Sequence, residues 1–101
     1  MQNATEKMSR IRNKEIAKKF REIPCLLCGK TRGTVGHHLL TVGAHPELVN
    51  DERNIVGVCM KHHLEFHALE LHRMVIKYRL EKFMLLRDFI FIEYSNRWVL
   101  K

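Results

Sequence analysis

Metal-ligand spacing constrains this chain more than any other feature. Three clusters, Cys25-x2-Cys28, His37-His38 and Cys59-x2-His62-His63-x3-His67, surround Asn54 within residues 25–67. They take up all three cysteines and five of the seven histidines. A fold that gathers such clusters has to satisfy the geometry of a bound ion at least once. The demand suits a chain of 101 residues, which forms one domain with a modest core. Domains of this size often rely on a metal or a second subunit for stability.

Three cysteines cannot all pair within one chain. The tight C-x2-C spacing therefore favours metal-bound thiolates in a reducing compartment over a disulfide scaffold, and a cytoplasmic location is expected. The formal net charge is +7 with histidine neutral, which favours a polyanionic partner. No apolar run approaches the roughly 18 residues of a membrane span. The polar N-terminus also lacks the apolar segment of a signal peptide. With a membrane partner set aside, nucleic acid is the expected one.

Residues 5–22 are rich in lysine and arginine, and Met8, Ile11, Ile16, Phe20 and Ile23 follow a loose helical stripe with Thr5 as N-cap. Pro24 ends this helix. Lys18, Lys19 and Arg21 on the helix, with Arg53 and Lys61 beside the motifs, are candidate phosphate contacts. The plainer reading of each is a solvated surface charge. Cys25 to Gly36 looks like a knuckle, with Gly29, Gly33 and Gly36 where tight turns are needed. Thr34–Thr41 is β-prone, a long loop follows, and Ile55, Val56 and Val58 read as a returning strand. From Met60 to about Leu86 the spacing of Leu64, Ala68, Leu71, Val75 and Tyr78 predicts one long helix. Phe89–Tyr94 and Arg97–Leu100 read as a hairpin about Ser95-Asn96. The expected class is α+β, a single domain over residues 1–101. It comprises a basic helix (1–23), a knuckle and two-strand-and-helix core (24–68), and a helix extension with hairpin (69–101).

Cys25 and Cys28 can aim two sulfurs at one ion, and Cys59 with His62 repeats that spacing where a strand meets a helix. Together they form a Cys3His set, a standard tetrahedral combination for structural Zn2+. Ordinary buried thiols are the alternative. His63 and His67, four apart, share one helix face. His62 and His63 differ by about 100° around the axis and can serve different sites. His37 and His38 adjoin on a strand and point to opposite sides. One can hold an ion while the other remains free to accept a proton. Three protein ligands leave positions open for water and a phosphate oxygen, the mark of a catalytic site.

His37-His38, Asn54 and His63-x3-His67 resemble the HNH endonucleases, whose active site is the ββα-metal finger. The subset with a zinc knuckle is the closer match, because Cys25, Cys28, Cys59 and His62 fall at its knuckle positions. The resemblance covers about residues 25–67. It implies that His37, His63 and His67 hold a divalent catalytic ion and that His38 is the general base. It further implies that Asn54 braces the loop and helps orient the base. The implied reaction is hydrolysis of DNA phosphodiester bonds with low sequence specificity, leaving 5′-phosphate and 3′-hydroxyl ends. A small domain of this kind resembles the nucleases of phages and prophages, so the expected setting is the cytoplasm of a bacterial host, and the candidate partners besides DNA are a second copy of the chain or a larger nuclease or terminase. Two positions depart from the common pattern: His62 replaces a knuckle cysteine, and His37 stands where aspartate is frequent. An all-imidazole site suits Zn2+ or Ni2+, whereas Mg2+ and Mn2+ favour oxygen ligands, so all four ions are candidates.

Elsewhere, His45 reads as an exposed loop histidine and His72 as structural, while Met74, Phe83, Met84 and Trp98 read as core. Asn50 is a second candidate for the asparagine role, but Asn54 has the family spacing, nine residues before His63. Two other functions fit the composition: a zinc-stabilised nucleic-acid-binding module without catalysis, and a subunit that docks through its apolar helix.

Overall fold

The computed structural model describes residues 13–101; Thr5 and the basic residues up to Arg12 lie outside them. The described chain is an α+β arrangement of four α-helices and two small antiparallel sheets. Helix α1 spans Lys14–Arg21. It is capped by Asn13, whose Oδ1 accepts from the backbone N–H groups of Glu15 (2.9 Å) and Ile16 (3.3 Å). Because Asn13 is extended (φ −76°, ψ 118°), the expected uninterrupted helix over 5–22 is broken there. Glu15 in the first turn and Lys18, Lys19 and Arg21 in the last both suit the helix dipole.

The knuckle follows, with Gly29 (φ 74°) and Gly33 (φ 71°) in the left-handed region that its turns require. Gly36 serves a different purpose from the expected turn. Strand β1 (Thr34–His38) pairs antiparallel with β2 (Ile55–Cys59), and the register sets Gly36 directly opposite Gly57. Phe20 and Ile23 of the α1 segment lie over this pair. A Cβ on Gly57 would fall 2.7 Å from Ile23 Cγ1 and 3.0 Å from the Phe20 carbonyl. The two glycines thus let α1 approach the hairpin. Leu26 N–H reaches the Gly57 carbonyl at 2.9 Å and ties the knuckle to β2. All five residues of β2 are buried.

The expected long helix is three shorter ones: α2 (Met60–Ala68), α3 (Leu71–Tyr78) and α4 (Glu81–Leu86). Leu69 (φ −110°, ψ 146°) and Glu70 (φ −65°, ψ 153°) are extended and break the first junction. Arg79 breaks the second by taking a left-handed conformation (φ 55°). Its N–H reaches the Ile76 carbonyl and Leu80 N–H that of Val75, a Schellman cap formed without glycine. Leu64 and Ala68, two members of the expected apolar stripe, are exposed; α2 buries His62 and Phe66 instead. The breaks let Met74, Val75, Leu80 and Met84 converge on one core with Val56, Val58 and Phe89.

Strands β3 (Phe89–Ile92) and β4 (Arg97–Leu100) form the expected terminal hairpin, joined through a 3-10 turn at Glu93–Ser95 and a left-handed Asn96 (φ 53°). Arg53 holds this end of the chain to the turn before β2. Its guanidinium pairs with Asp51 (2.8 Å) and Asp88 (3.1 Å) and donates to the Lys101 carbonyl (3.3 Å). Among the described residues no helix is long and apolar enough to cross a membrane. The close approach at Gly57 carries a prediction. Gly57→Ala should destabilise the domain by about 1–3 kcal/mol, read by chemical denaturation, because Ile23 and the Phe20 backbone would both have to shift. An unchanged midpoint would show that α1 does not need this contact.

Candidate metal centres

Two groups of ligating side chains come together, one on each side of α2. The first is Cys25, Cys28, Cys59 and His62, whose ligand atoms all lie within 4.8 Å of one another. Cys25 and Cys28 come from the knuckle, Cys59 ends β2, and His62 lies in the first turn of α2. Cys28 Sγ and Cys59 Sγ are 3.8 Å apart. A tetrahedral ion with Zn–S bonds of about 2.3 Å requires a sulfur–sulfur edge of about 3.8 Å. His62 Nδ1 lies 3.1 Å from Cys59 Sγ and 3.6 Å from Cys25 Sγ, close to the corresponding mixed edge. The quartet is geometrically compatible with a structural metal ion such as zinc.

The knuckle backbone also favours thiolate. Burial pushes the Cys25 thiol up, but N–H groups of Cys59, Leu27 and Cys28, with the Cys28 thiol, outweigh it and bring its pKa to about 6. At Cys28 the Lys30 N–H lowers the pKa, yet burial and the neighbouring sulfurs of Cys25 and Cys59 raise it on balance. Crowded sulfurs that resist simultaneous ionisation are what a divalent cation relieves. Glu65, bonded to Lys77 and to the Tyr78 hydroxyl, supports this side of α2, and the Tyr78 ring meets His62 edge-on at 5.7 Å.

The second group is His37, His63 and His67, again with ligand atoms within 4.8 Å of one another. His63 Nε2 and His67 Nε2 are 3.3 Å apart. This is the edge expected for two imidazoles on one tetrahedral ion with bonds of about 2.0–2.1 Å. His37 is buried, stacked on Phe66 at 4.6 Å and edge-on to both other rings. Burial, then the proximity of His63, His67 and His38, pulls the His37 pKa down to about 4. Burial and His67 lower that of His63 as well. Both rings are therefore neutral near pH 7, the form that ligates metals. His63 Nδ1 is buried without a hydrogen-bond partner, and Nε2 is the ring nitrogen that faces His67. These features fit the trio to a divalent ion.

His38 ends β1 on the rim of the same groove as the trio. Its Nε2 lies 2.8 Å from the Val49 carbonyl, an acceptor only, so Nε2 carries the proton and Nδ1 the lone pair. Asn54 is fully buried. Its Oδ1 accepts from Leu40 N–H (2.8 Å), its Nδ2 donates to the Leu40 carbonyl (3.0 Å), and its own carbonyl accepts from Leu39 N–H (2.8 Å). Asn54 thus clamps the two residues after His38, and the direct hydrogen bond to the His38 ring comes from Val49. Asn50, the rival asparagine, instead receives the Asn13 N–H at 2.7 Å.

The basic candidates divide. Lys18, Arg21 and Lys61 are exposed, Lys19 pairs with Glu52 at 2.6 Å, and Arg53 is committed to the fold as described. The groove itself, about 1140 Å³, also takes in His45, His72 and Arg97, which spacing alone did not connect to the site. Six of the seven histidines line it; His62 is the exception.

Structural-zinc binding free energies of roughly 10–16 kcal/mol are folding free energy in small domains. Cys59→Ser, or chelation, is accordingly expected to remove one equivalent of zinc and the cooperative unfolding transition together; a stable, zinc-free variant would count against the quartet. A second expectation concerns pH. With the trio free of metal, the His37 ring should titrate near pH 4 by NMR rather than at its ordinary 6.5. Between those values the unfolded chain binds the extra proton, so stability should fall as the pH drops from 6.5 toward 4, by roughly 2–3 kcal/mol in total. No protein-family model, curated protein or solved structure matches the chain.

Proposed function

We propose that the protein is a metal-dependent DNA endonuclease of the HNH type, with β1, β2 and α2 as its ββα-metal finger. The observation that carries this reading is the meeting of His37 with His63 and His67 beside a tautomerically fixed His38. A binding module needs neither a three-imidazole open site nor a free imidazole lone pair next to it. A divalent ion held by the trio would supply charge stabilisation at the scissile phosphate and its leaving 3′ oxygen.

The protein's own groups account for the rest of the reaction. His38 Nδ1 takes a proton from the attacking water, whose oxygen forms the new bond to phosphorus as the bond to the 3′ oxygen breaks, and the departing 3′ oxygen takes a proton from solvent to become the hydroxyl. The Val49 carbonyl, accepting from Nε2–H, holds the ring in that tautomer and stabilises the imidazolium that results. Asn54 keeps the strand end from drifting by fixing Leu39 and Leu40. Phe66 holds the plane of His37, and burial keeps that ring neutral for the ion. Affinity for DNA comes from the +7 net charge and from exposed Lys18, Arg21 and Lys61, and it should be strongly salt-dependent.

The test is cleavage of supercoiled plasmid by zinc-loaded protein supplied with magnesium, manganese, nickel or further zinc. His38→Ala is expected to reduce nicking by roughly 10²–10⁴-fold while leaving zinc content and DNA affinity unchanged. Folded wild-type protein that binds DNA yet nicks nothing with any of these ions would favour the non-catalytic binding module. Equal cleavage by both proteins would remove His38 from the base role.

A further inference from the structure

The groove extends well beyond the histidine trio. It runs from His37 and His63 past the α2–α3 junction to His72, Asn96, Arg97 and Trp98, so its far wall is the start of α3 with the C-terminal hairpin. At about 1140 Å³ it exceeds the roughly 300–1,000 Å³ of typical small-molecule pockets, and an extended ligand suits it better than a single phosphate. Apart from its histidines, the groove's ionisable lining residues are Arg97 and one carboxylate, Glu70.

Two donors on that far wall are held ready and unused. Arg97 is exposed, and its guanidinium makes no hydrogen bond or ion pair among the described residues. Arg53 and Arg87, by contrast, are bound to carboxylates or backbone carbonyls. The left-handed Asn96 turns the chain just before Arg97 and sets it at the groove's edge while Trp98, its neighbour, points into the core. His72 is fixed from two sides. Its ring stacks on Phe91 at 4.2 Å and 11°, and Trp98 Nε1 donates to its Nδ1 at 3.2 Å. An indole N–H can only donate, so Nδ1 is the acceptor and the neutral ring carries its proton on Nε2. That Nε2 has no protein partner and is not among the buried unsatisfied atoms, so it remains accessible on a residue that lines the groove. An oriented N–H and an unpaired guanidinium on one wall match the oxygens of a chain of phosphates, and rigid donors lose little freedom on binding.

We propose that the C-terminal hairpin and the start of α3 form the second wall of a nucleic-acid groove, in which Arg97 and His72 Nε2–H contact the phosphodiester backbone. This rests on the nuclease reading and extends it to a part of the chain outside the finger. The two residues bind substrate and have no part in the bond-breaking step.

The experiment measures binding of a fluorescein-labelled DNA duplex to zinc-loaded His38→Ala protein over a series of salt concentrations. In that background Arg97→Glu should weaken binding at least tenfold and lower the salt slope by about one phosphate contact. His72→Phe, which keeps the stack on Phe91, should weaken it about threefold. Lys82→Glu makes the same charge change on exposed α4 surface away from the groove and should have a much smaller effect. Equal losses from Arg97→Glu and Lys82→Glu, or an unchanged slope for Arg97→Glu, would overturn the proposal and leave the nuclease reading intact. Preferential displacement of the DNA by an acidic peptide would overturn it in favour of a protein ligand. A parent protein that binds no DNA, with a wild type that cleaves none, would overturn the nuclease reading and this proposal with it.

Discussion

The turn from β2 into α2 is the constraint on which the rest of the site depends. Cys59 ends the strand and His62 follows within one helical turn, so an ion shared with Cys25 and Cys28 would fix both the position and the rotation of α2. His63 is the next residue and points about 100° away around the axis. Once His62 is turned toward the knuckle, His63 and His67 have to face the β1 side, where His37 stands. The two candidate metal sites are coupled through adjacent residues of one helix, His62 and His63. Loss of the knuckle would therefore disorganise the histidine trio.

The hairpin makes the opposite contribution, a surface against which α2 and α1 are both held. On one side Gly36 and Gly57 form a flat patch that admits Phe20 and Ile23. On the other, His37 is pressed against Phe66 and loses its solvation. Burial here does chemical work, because a desolvated imidazole stays neutral and keeps its lone pair for a metal. His38 is one residue on and partly exposed, with its tautomer chosen by the Val49 carbonyl. Alternation along a strand thus separates the proposed ligand from the proposed base.

The C-terminal third, which lies outside the resemblance to the HNH finger, contributes half of the core cluster and one wall of the groove. Met74, Val75, Met84 and Phe89 are its most buried residues. Their packing requires the chain to turn twice where a straight helix was expected. Arg53 and Arg87 then bind the end of the domain to the turn that carries Asn54, through Asp88 and the Ile55 carbonyl. In this way a clamp at the surface stabilises the loop beneath the proposed active site.

Ligand chemistry is local, and for that reason the sequence by itself determined the two candidate metal-ligand sets, the separation of His62 from His63, the two hairpins and the α+β class. Spacing of two, three or four residues dictates which side chains share a turn or a face, whatever the remainder of the chain does. Other features were invisible at that range. The break at Arg79 uses a Schellman cap without the usual glycine, and the break at Leu69 places Leu64 and Ala68 in solvent despite their helical spacing. Gly36 resembled a turn glycine until Gly57 and α1 were seen across from it. Arg53 resembled a phosphate contact until Asp51 and Asp88 closed on it. His72 and Arg97 joined the histidine groove only through tertiary packing of the terminal hairpin. The two helix breaks are local but follow from what the core can bury, while Gly57 opposite Gly36, Asp88 against Arg53 and Trp98 against His72 lie more than 20 positions away, and only the tertiary structure decides such contacts.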